Sequence, residues 1–143
     1  MTVVVDASVF NKLFLDEADT PIARKFFKSV VQADRPMLAP TLLRLEMCKA
    51  ALYFGVDFAV PLSILDTYVA AGLALIDPAN EVWKTAEKIS RSGNAKSGFP
   101  SLEDSLYHAL AIHAGAVFVT ADQRHLEKAG EFGHVKLLSE WDE

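Results

Sequence analysis

Short apolar runs alternate with longer amphipathic segments along the whole chain. The run Val3-Val4-Val5 is apolar at every position, which is typical of a strand buried on both faces of a parallel sheet. Four further apolar runs are equally short and are bounded by polar, proline or glycine positions. The pattern therefore predicts five strands, at Thr2–Val5, Met37–Ala39, Leu73–Ile76, Ala116–Val119 and Val135–Leu138.

Between these strands the apolar positions recur with the period of an amphipathic helix. Thr20-Pro21 is predicted to start one helix and Asn80 to cap another, while Ser92–Pro100 is predicted as a polar loop. The alternation predicts one α/β domain over residues 1–143, with three layers: a central parallel sheet of about five strands and helices on both faces. The predicted helices are Val9–Leu15, Ile22–Gln32, Thr41 to a stop at Gly55, Pro61–Ala71, Glu81–Arg91, Leu102–Ala114 and Asp122–Ala129.

The composition is that of a globular protein. Hydrophobic residues make up 51% of the chain and charged residues 23%, and no apolar stretch reaches the roughly 18 to 20 residues that a membrane span needs. The N-terminus leads directly into a strand, without a basic leader, so we expect a soluble cytoplasmic protein. The single cysteine, Cys48, has no internal disulfide partner and is expected to be a small buried residue.

The formal net charge of −5 argues against a general polyanion binder, yet four of the acids stand where a folded chain rarely keeps a carboxylate. Asp6 and Asp122 follow predicted strands, Glu46 lies in the apolar arc of a helix, and Asp104 opens an amphipathic segment. Functional groups of such sheets gather beyond the carboxyl ends of the strands. Converging carboxylates indicate ligands for a hard divalent cation, which would reverse the local sign of charge.

Each acid also has a purely structural explanation. Asp6 and Asp122 have the positions of helix caps, and Ser101-x-x-Asp104 fits a capping box. Glu46 has Lys49 at the edge of the same apolar arc, which offers an internal ion pair. These explanations are independent of one another, so their joint occurrence is less probable than one shared site.

Other patterns that carry chemistry are weaker. The chain has no phosphate-binding loop, dinucleotide fingerprint or nucleophile elbow. The segment Asp6-Ala-Ser8 is similar to the start of aspartate-nucleophile phosphatases, but Ser8 replaces their second aspartate. The histidines lack zinc-ligand spacing and are expected at the surface or its boundary, His108 being a candidate for the wall of an acidic cleft; they are His108, His113, His125 and His134.

Taken together, the motifs resemble the PIN-domain nucleases, and in particular the single-domain VapC-type toxins of toxin–antitoxin pairs. The likeness covers nearly the whole chain and rests on Val-Val-Asp6-Ala-Ser8, a helical Glu46, Asp104-x-x-Tyr107-x-Ala-Leu-Ala and Val-Thr120-Ala-Asp122. It implies an endoribonuclease that uses Mg²⁺ or Mn²⁺, forms a homodimer and binds an antitoxin. It also implies that the metal-binding and catalytic acids are Asp6, Glu46, Asp104 and Asp122, with Ser8 and Thr120 as polar supports.

The chain departs from the family pattern at two places. Met47-Cys48-Lys49 follows Glu46, where many members have a small residue and an asparagine, and Arg124 stands where a fifth acid is often found. The second departure bears on a second metal position. Candidate contacts to the RNA backbone are Lys12, Arg44, Lys96 and Arg124.

Three alternatives remain open at this point. One is a PIN-domain nuclease of RNA processing that is not a toxin, and another is an inactive interaction module whose acids are only caps. The third is a receiver-like signalling domain, which would want an adjacent acid pair after the first strand, where Asp6 stands alone. Apolar stripes on helices Ile22–Val31 and Pro61–Ala71 are the candidate surfaces for a dimer or partner.

Overall fold

A computed structural model describes residues 1–142 and contains the predicted parallel sheet. Its spatial order is β3-β2-β1-β4-β5, and every neighbouring pair is parallel. The three residues of β1 have no exposed surface, so helices cover both faces of the sheet centre, as the uninterrupted valine run predicts. The strands are β1 Val3–Val5, β2 Met37–Pro40, β3 Leu73–Ile76, β4 Val117–Thr120 and β5 Val135–Leu137.

The helices confirm the predicted three-layer α/β arrangement. Helix α6 packs against β1, β2 and β4, and α5 packs along α6. None of the helices in residues 1–142 combines the length and apolar character of a membrane crossing. Their bounds are α1 Ala7–Phe10, α2 Thr20–Gln32, α3 Leu42–Tyr53, α4 Ala59–Ala70, α5 Asn80–Arg91, α6 Leu102–Ala114 and α7 Gln123–Ala129, with short 3₁₀ turns at 11–13, 130–132 and 138–140.

Helix starts are where the predictions need correction. Helix α1 begins at Ala7, two residues earlier than predicted, because the Asp6 side chain accepts from the backbone N–H of Val9 and caps it. Thr20 is the first residue of α2 rather than its cap, since its hydroxyl accepts from Glu17 N and donates to Leu15 O in the preceding loop. Asn80 likewise lies inside α5 and makes no capping bond.

Two of the histidines were wrongly predicted at the surface. His108 on α6 and His125 on α7 are both buried, and His108 Nδ1 lies 2.9 Å from His125 Nε2. His108 Nε2 is 2.6 Å from the carbonyl oxygen of Gly133, to which only a protonated nitrogen can donate. The ring of His125 therefore donates to His108, and this pair joins the two helices that carry Asp104 and Asp122.

Candidate active site

Asp6 leaves the carboxyl end of β1 and is held by three hydrogen bonds. Its side chain is only 2% exposed. Oδ1 accepts from Ser8 Oγ at 2.6 Å and from Val9 N at 3.3 Å, and Oδ2 accepts from Thr120 Oγ1 at 2.8 Å. A carboxylate has about four acceptor positions, so at least one remains free to bind a ligand in a fixed orientation.

Ser8 and Thr120 also tie the ends of β1 and β4 together. Ser8 Oγ accepts from the backbone N–H of Ala121 at 3.2 Å, and Thr120 Oγ1 accepts from that of Asp122 at 3.0 Å. Asp122 Oδ1 in turn accepts from Arg124 N at 2.9 Å, which caps α7. The capping roles of Asp6 and Asp122 are therefore real, and they coexist with a shared site because each cap uses only part of the carboxylate.

Asp104 reaches the same edge of the sheet from the first turn of α6. The helix is capped by Ser101, whose hydroxyl accepts from Asp104 N at 3.1 Å. Burial first, and then the neighbouring charge of Asp122, raise the pKa of the Asp104 carboxyl to about 6. A buried carboxyl beside a second carboxylate is a favourable position for a cation.

Glu46 enters the site from α3 and lacks the ion pair that would explain it structurally. Among residues 1–142 no cation lies within salt-bridge distance of Glu46, Lys49 included, and its Oε1 is buried without a hydrogen-bond partner. The hydroxyl of Tyr107 on α6, a neighbour of Glu46, is likewise buried and has no hydrogen-bond partner within that range. Burial raises the pKa of Glu46, and burial together with the Glu46 charge raises the pKa of Tyr107.

The four acids line one cleft of about 380 Å³, although they arrive from four different elements. Burial, opposed by the Ser8 bond and reinforced by the Asp104 charge, raises the pKa of Asp6 to about 7. Within residues 1–142, no three acid, histidine or cysteine side chains are gathered closely enough to complete a coordination shell. The donor set nevertheless suits Mg²⁺ or Mn²⁺ chemically, because it consists of carboxylate oxygens, which hard divalent cations prefer.

Most of the basic residues predicted to contact RNA do not lie at the acid cleft. Lys12 is the clear correction: it is buried, and its ammonium lies 2.9 Å from Asp19 Oδ1 and 3.3 Å from Glu17 Oε1, so it holds the loop before α2. Arg44 and Lys96 are exposed but do not line the cleft, and Arg124 is exposed beside Asp122.

Sequence reasoning missed several residues of the cleft wall. Lys49, Asn11, Tyr53 and Phe54 line it, and the exposed Lys49 is its one basic side chain in the described residues. The spacing of three between Glu46 and Lys49 on one helix was the available signal for Lys49. Asn11 and the two aromatic residues carry no local signal, because only the packing of α3 beside α1 brings them to the acids.

Comparison with solved structures shows the same fold in three proteins of low sequence identity. PAE2754 from Pyrobaculum aerophilum is 19% identical, with a TM-score of 0.64 over 97% of this chain and 93% of that one. VapBC2 from Rickettsia felis, solved bound to a DNA fragment from their promoter, is 12% identical, with a TM-score of 0.68 over 99% and 100%. FitAcB from Neisseria gonorrhoeae is 12% identical, with a TM-score of 0.59 over 94% and 95%.

No curated protein sequence is similar enough to count as a relative of this chain. The family model for the PIN domain, by contrast, matches residues 3–131, a stretch that contains all four acids of the cleft. Since that match spans most of the chain, the protein belongs to the PIN domain family.

Proposed function

We propose that the protein is an endoribonuclease that requires Mg²⁺ or Mn²⁺. The observation that carries this proposal is the cleft in which four acids meet, with the pKa of Asp6 raised to about 7 and that of Asp104 to about 6. Such a site is unfavourable on its own and is stabilised by a cation. A bound divalent ion supplies charge neutralisation and an activated water for hydrolysis of a phosphodiester.

The roles of the residues follow from their contacts. Asp6, Asp104 and Asp122 would hold the ion, Asp6 in the orientation set by Ser8 and Thr120. Glu46 has an unpartnered oxygen and a raised pKa, which suit it to orient the attacking water and to accept its proton. Lys49 and Arg124 are the exposed cations beside the acids and would contact the RNA backbone.

Cleavage of a fluorescently labelled single-stranded RNA tests this proposal. Wild type with Mn²⁺ should cut the RNA, while chelator or Asp104→Asn should abolish the cut. Asp66→Asn is the matched control, because it makes the same substitution at an exposed acid of α4 that does not line the cleft. The catalytic assignment is wrong if Asp104→Asn keeps full activity, or if the purified protein binds no divalent ion.

We further propose that the protein is the toxin of a cytoplasmic toxin–antitoxin pair. The support is its resemblance to VapC-type toxins and its likeness in fold to the VapBC2 structure. A surface on α3, together with Phe54 just after it, carries exposed apolar side chains, and Tyr53 and Phe54 also line the acid cleft. A partner segment bound to this surface would cover the site. We define the α3 surface as Leu45, Leu52, Tyr53 and Phe54.

Expression beside its genomic neighbour tests the partnership. A small neighbouring protein that copurifies with this chain and suppresses its RNA cleavage would support the toxin assignment. Unaltered cleavage in the presence of every adjacent gene product would contradict it and would favour a PIN-domain nuclease of RNA processing.

A further inference from the structure

A second groove, of about 630 Å³, lies between α5 and the segment that leads into α6. Its apolar walls are unusually exposed: Trp83 is 43% exposed, Phe99 55% and Leu102 50%. Isolated exposed apolar side chains are ordinary, but two aromatic rings and a leucine around one groove form a binding surface. The groove is completed by Glu87, Ser90 and Arg91.

The α5 side of this groove is basic in a chain that is acidic overall. Residues 80–100 carry four basic and two acidic side chains, whereas the whole chain carries 14 basic and 19 acidic ones. Lys84, Lys88 and Arg91 follow one another at spacings of four and three, so they form a stripe along the exposed side of α5. Arg91 Nε is paired with Glu87 Oε2 at 2.9 Å, so the two lysines supply the net positive charge of the stripe. Outside the groove lining, Lys128 Nζ on α7 lies 3.5 Å from the carbonyl oxygen of Phe99.

The groove lies close to the acid cleft. Leu102 is the first residue of α6, and Asp104 stands two positions later on the other side of the same helix. A helix with its side chains is about 10 Å across. Consecutive nucleotides rise about 3.4 Å, so a base in the groove would belong to a nucleotide within about three steps of a phosphate at the acids.

We propose that this groove is a nucleobase-stacking subsite for single-stranded RNA, with Trp83 and Phe99 as the stacking rings. The inference rests on the proposed ribonuclease function. Aromatic faces that accept any base, flanked by cations for the backbone, are what single-stranded nucleic acid requires.

Equilibrium binding of a labelled single-stranded RNA in chelator tests the subsite without cleavage. Trp83→Leu keeps an apolar side chain but removes the stacking face, and should weaken binding about 10-fold. Trp83→Phe keeps a ring and should stay within about 3-fold of wild type. Phe58→Leu is the matched control, because Phe58 is 42% exposed and stands far along the chain on α4's leading turn; it should change nothing.

Fluorescence gives a second, direct readout. The chain has two tryptophans, so the signal that RNA quenches in wild type and not in Trp83→Phe belongs to Trp83, with Trp141 as the internal reference. Unchanged RNA binding by Trp83→Leu, or equal losses in the leucine and phenylalanine variants, would overturn the subsite. A change in oligomeric mass or partner binding without a change in RNA binding would also overturn it and would assign the groove to a protein.

The outcomes separate the subsite from the nuclease proposal. RNA bound through Trp83 but not cut in Mn²⁺ would contradict the nuclease and leave the subsite standing. RNA cut normally by Trp83→Leu, with unaltered affinity, would contradict the subsite and leave the nuclease standing.

Discussion

Asp6 is a residue whose position opposes the stability of the metal-free fold. Its folded-state pKa is about 7, against an ordinary 3.8, chiefly because it is buried. A raised folded pKa means that the stabilising protonated form is lost as pH rises through the interval between these values. In chelator at pH 8, Asp6→Asn should therefore melt higher than wild type.

The expected gain in the free energy of unfolding is about 1–2 kcal/mol. The pKa difference alone corresponds to about 4 kcal/mol, and the amide loses the charge-assisted bonds from Ser8 and Thr120. Asparagine caps α1 about as well as aspartate does. The stability difference between Asp6→Asn and wild type should shrink at pH 5, and it should narrow or reverse when Mn²⁺ is added. If the variant instead melts lower in chelator and Mn²⁺ moves neither protein, Asp6 is a structural cap.

Lys12, in contrast to Asp6, is expected to stabilise the fold and not to bind the substrate. Lys12→Met removes the cation shared by Glu17 and Asp19, and should lower the free energy of unfolding by about 1–2 kcal/mol, since these partners are partly exposed and screened. Its affinity for RNA should stay within 2-fold of wild type. A stable variant with clearly weakened RNA binding would return Lys12 to the substrate contacts.

Helices α6 and α7 are joined by the His108–His125 pair, which predicts acid sensitivity at the scale of elements. Burial lowers the pKa of both rings, that of His125 to about 4. Lys128 opposes a positive charge on His125 and Asp122 favours it. His134 opposes a positive charge on His108. A folded pKa below the unfolded 6.5 means that stability is present above that value and is lost as pH falls toward 4.

Denaturant unfolding from pH 7 to pH 4.5 measures this loss. The raised pKa values of Asp6 and Asp104 increase stability as pH falls over the same range. The effect of the histidines must therefore be measured as a difference between wild type and a histidine variant. Replacing both histidines with leucine should flatten the acid side of the profile relative to wild type by up to about 1.4 kcal/mol per pH unit for each proton. Profiles of the same slope would show that the two rings take up protons as readily in the fold as in the unfolded chain, which would contradict the lowered pKa values.

At the scale of the whole molecule, burial decides which of the two predicted dimer surfaces is available to a second copy of the chain. The stripe on α2 is mostly core, since Phe26, Phe27 and Val30 are buried, whereas Val60 and Val69 on α4 stay exposed. Light scattering at micromolar concentration should give twice the 15.7 kDa chain mass. Val69→Lys on α4 should lower that mass without changing the melting temperature, and Ile22→Lys on α2, equally exposed, is the matched control. A monomer in wild type would contradict the dimer.

Where an element is defined by its own residues, the sequence determined it. Helix α6 has its predicted bounds, Leu102 to Ala114, because Ser101 caps its start and Gly115, at φ 62°, ends it. Strand β3 also has its predicted bounds. Periodicity, caps and glycine stops act within a few residues, so they can be read from the chain alone.

Contacts between distant residues were decided only by the tertiary structure. The four acids were recognisable as candidates, but the bond from Thr120 to Asp6 joins positions 114 residues apart, and it forms because β1 and β4 are neighbours in the sheet. The pairing of His108 with His125, the burial of Lys12 and the Trp83 groove depend in the same way on which elements pack together. Side-chain chemistry can be read one residue at a time, whereas burial and partnership belong to the folded chain.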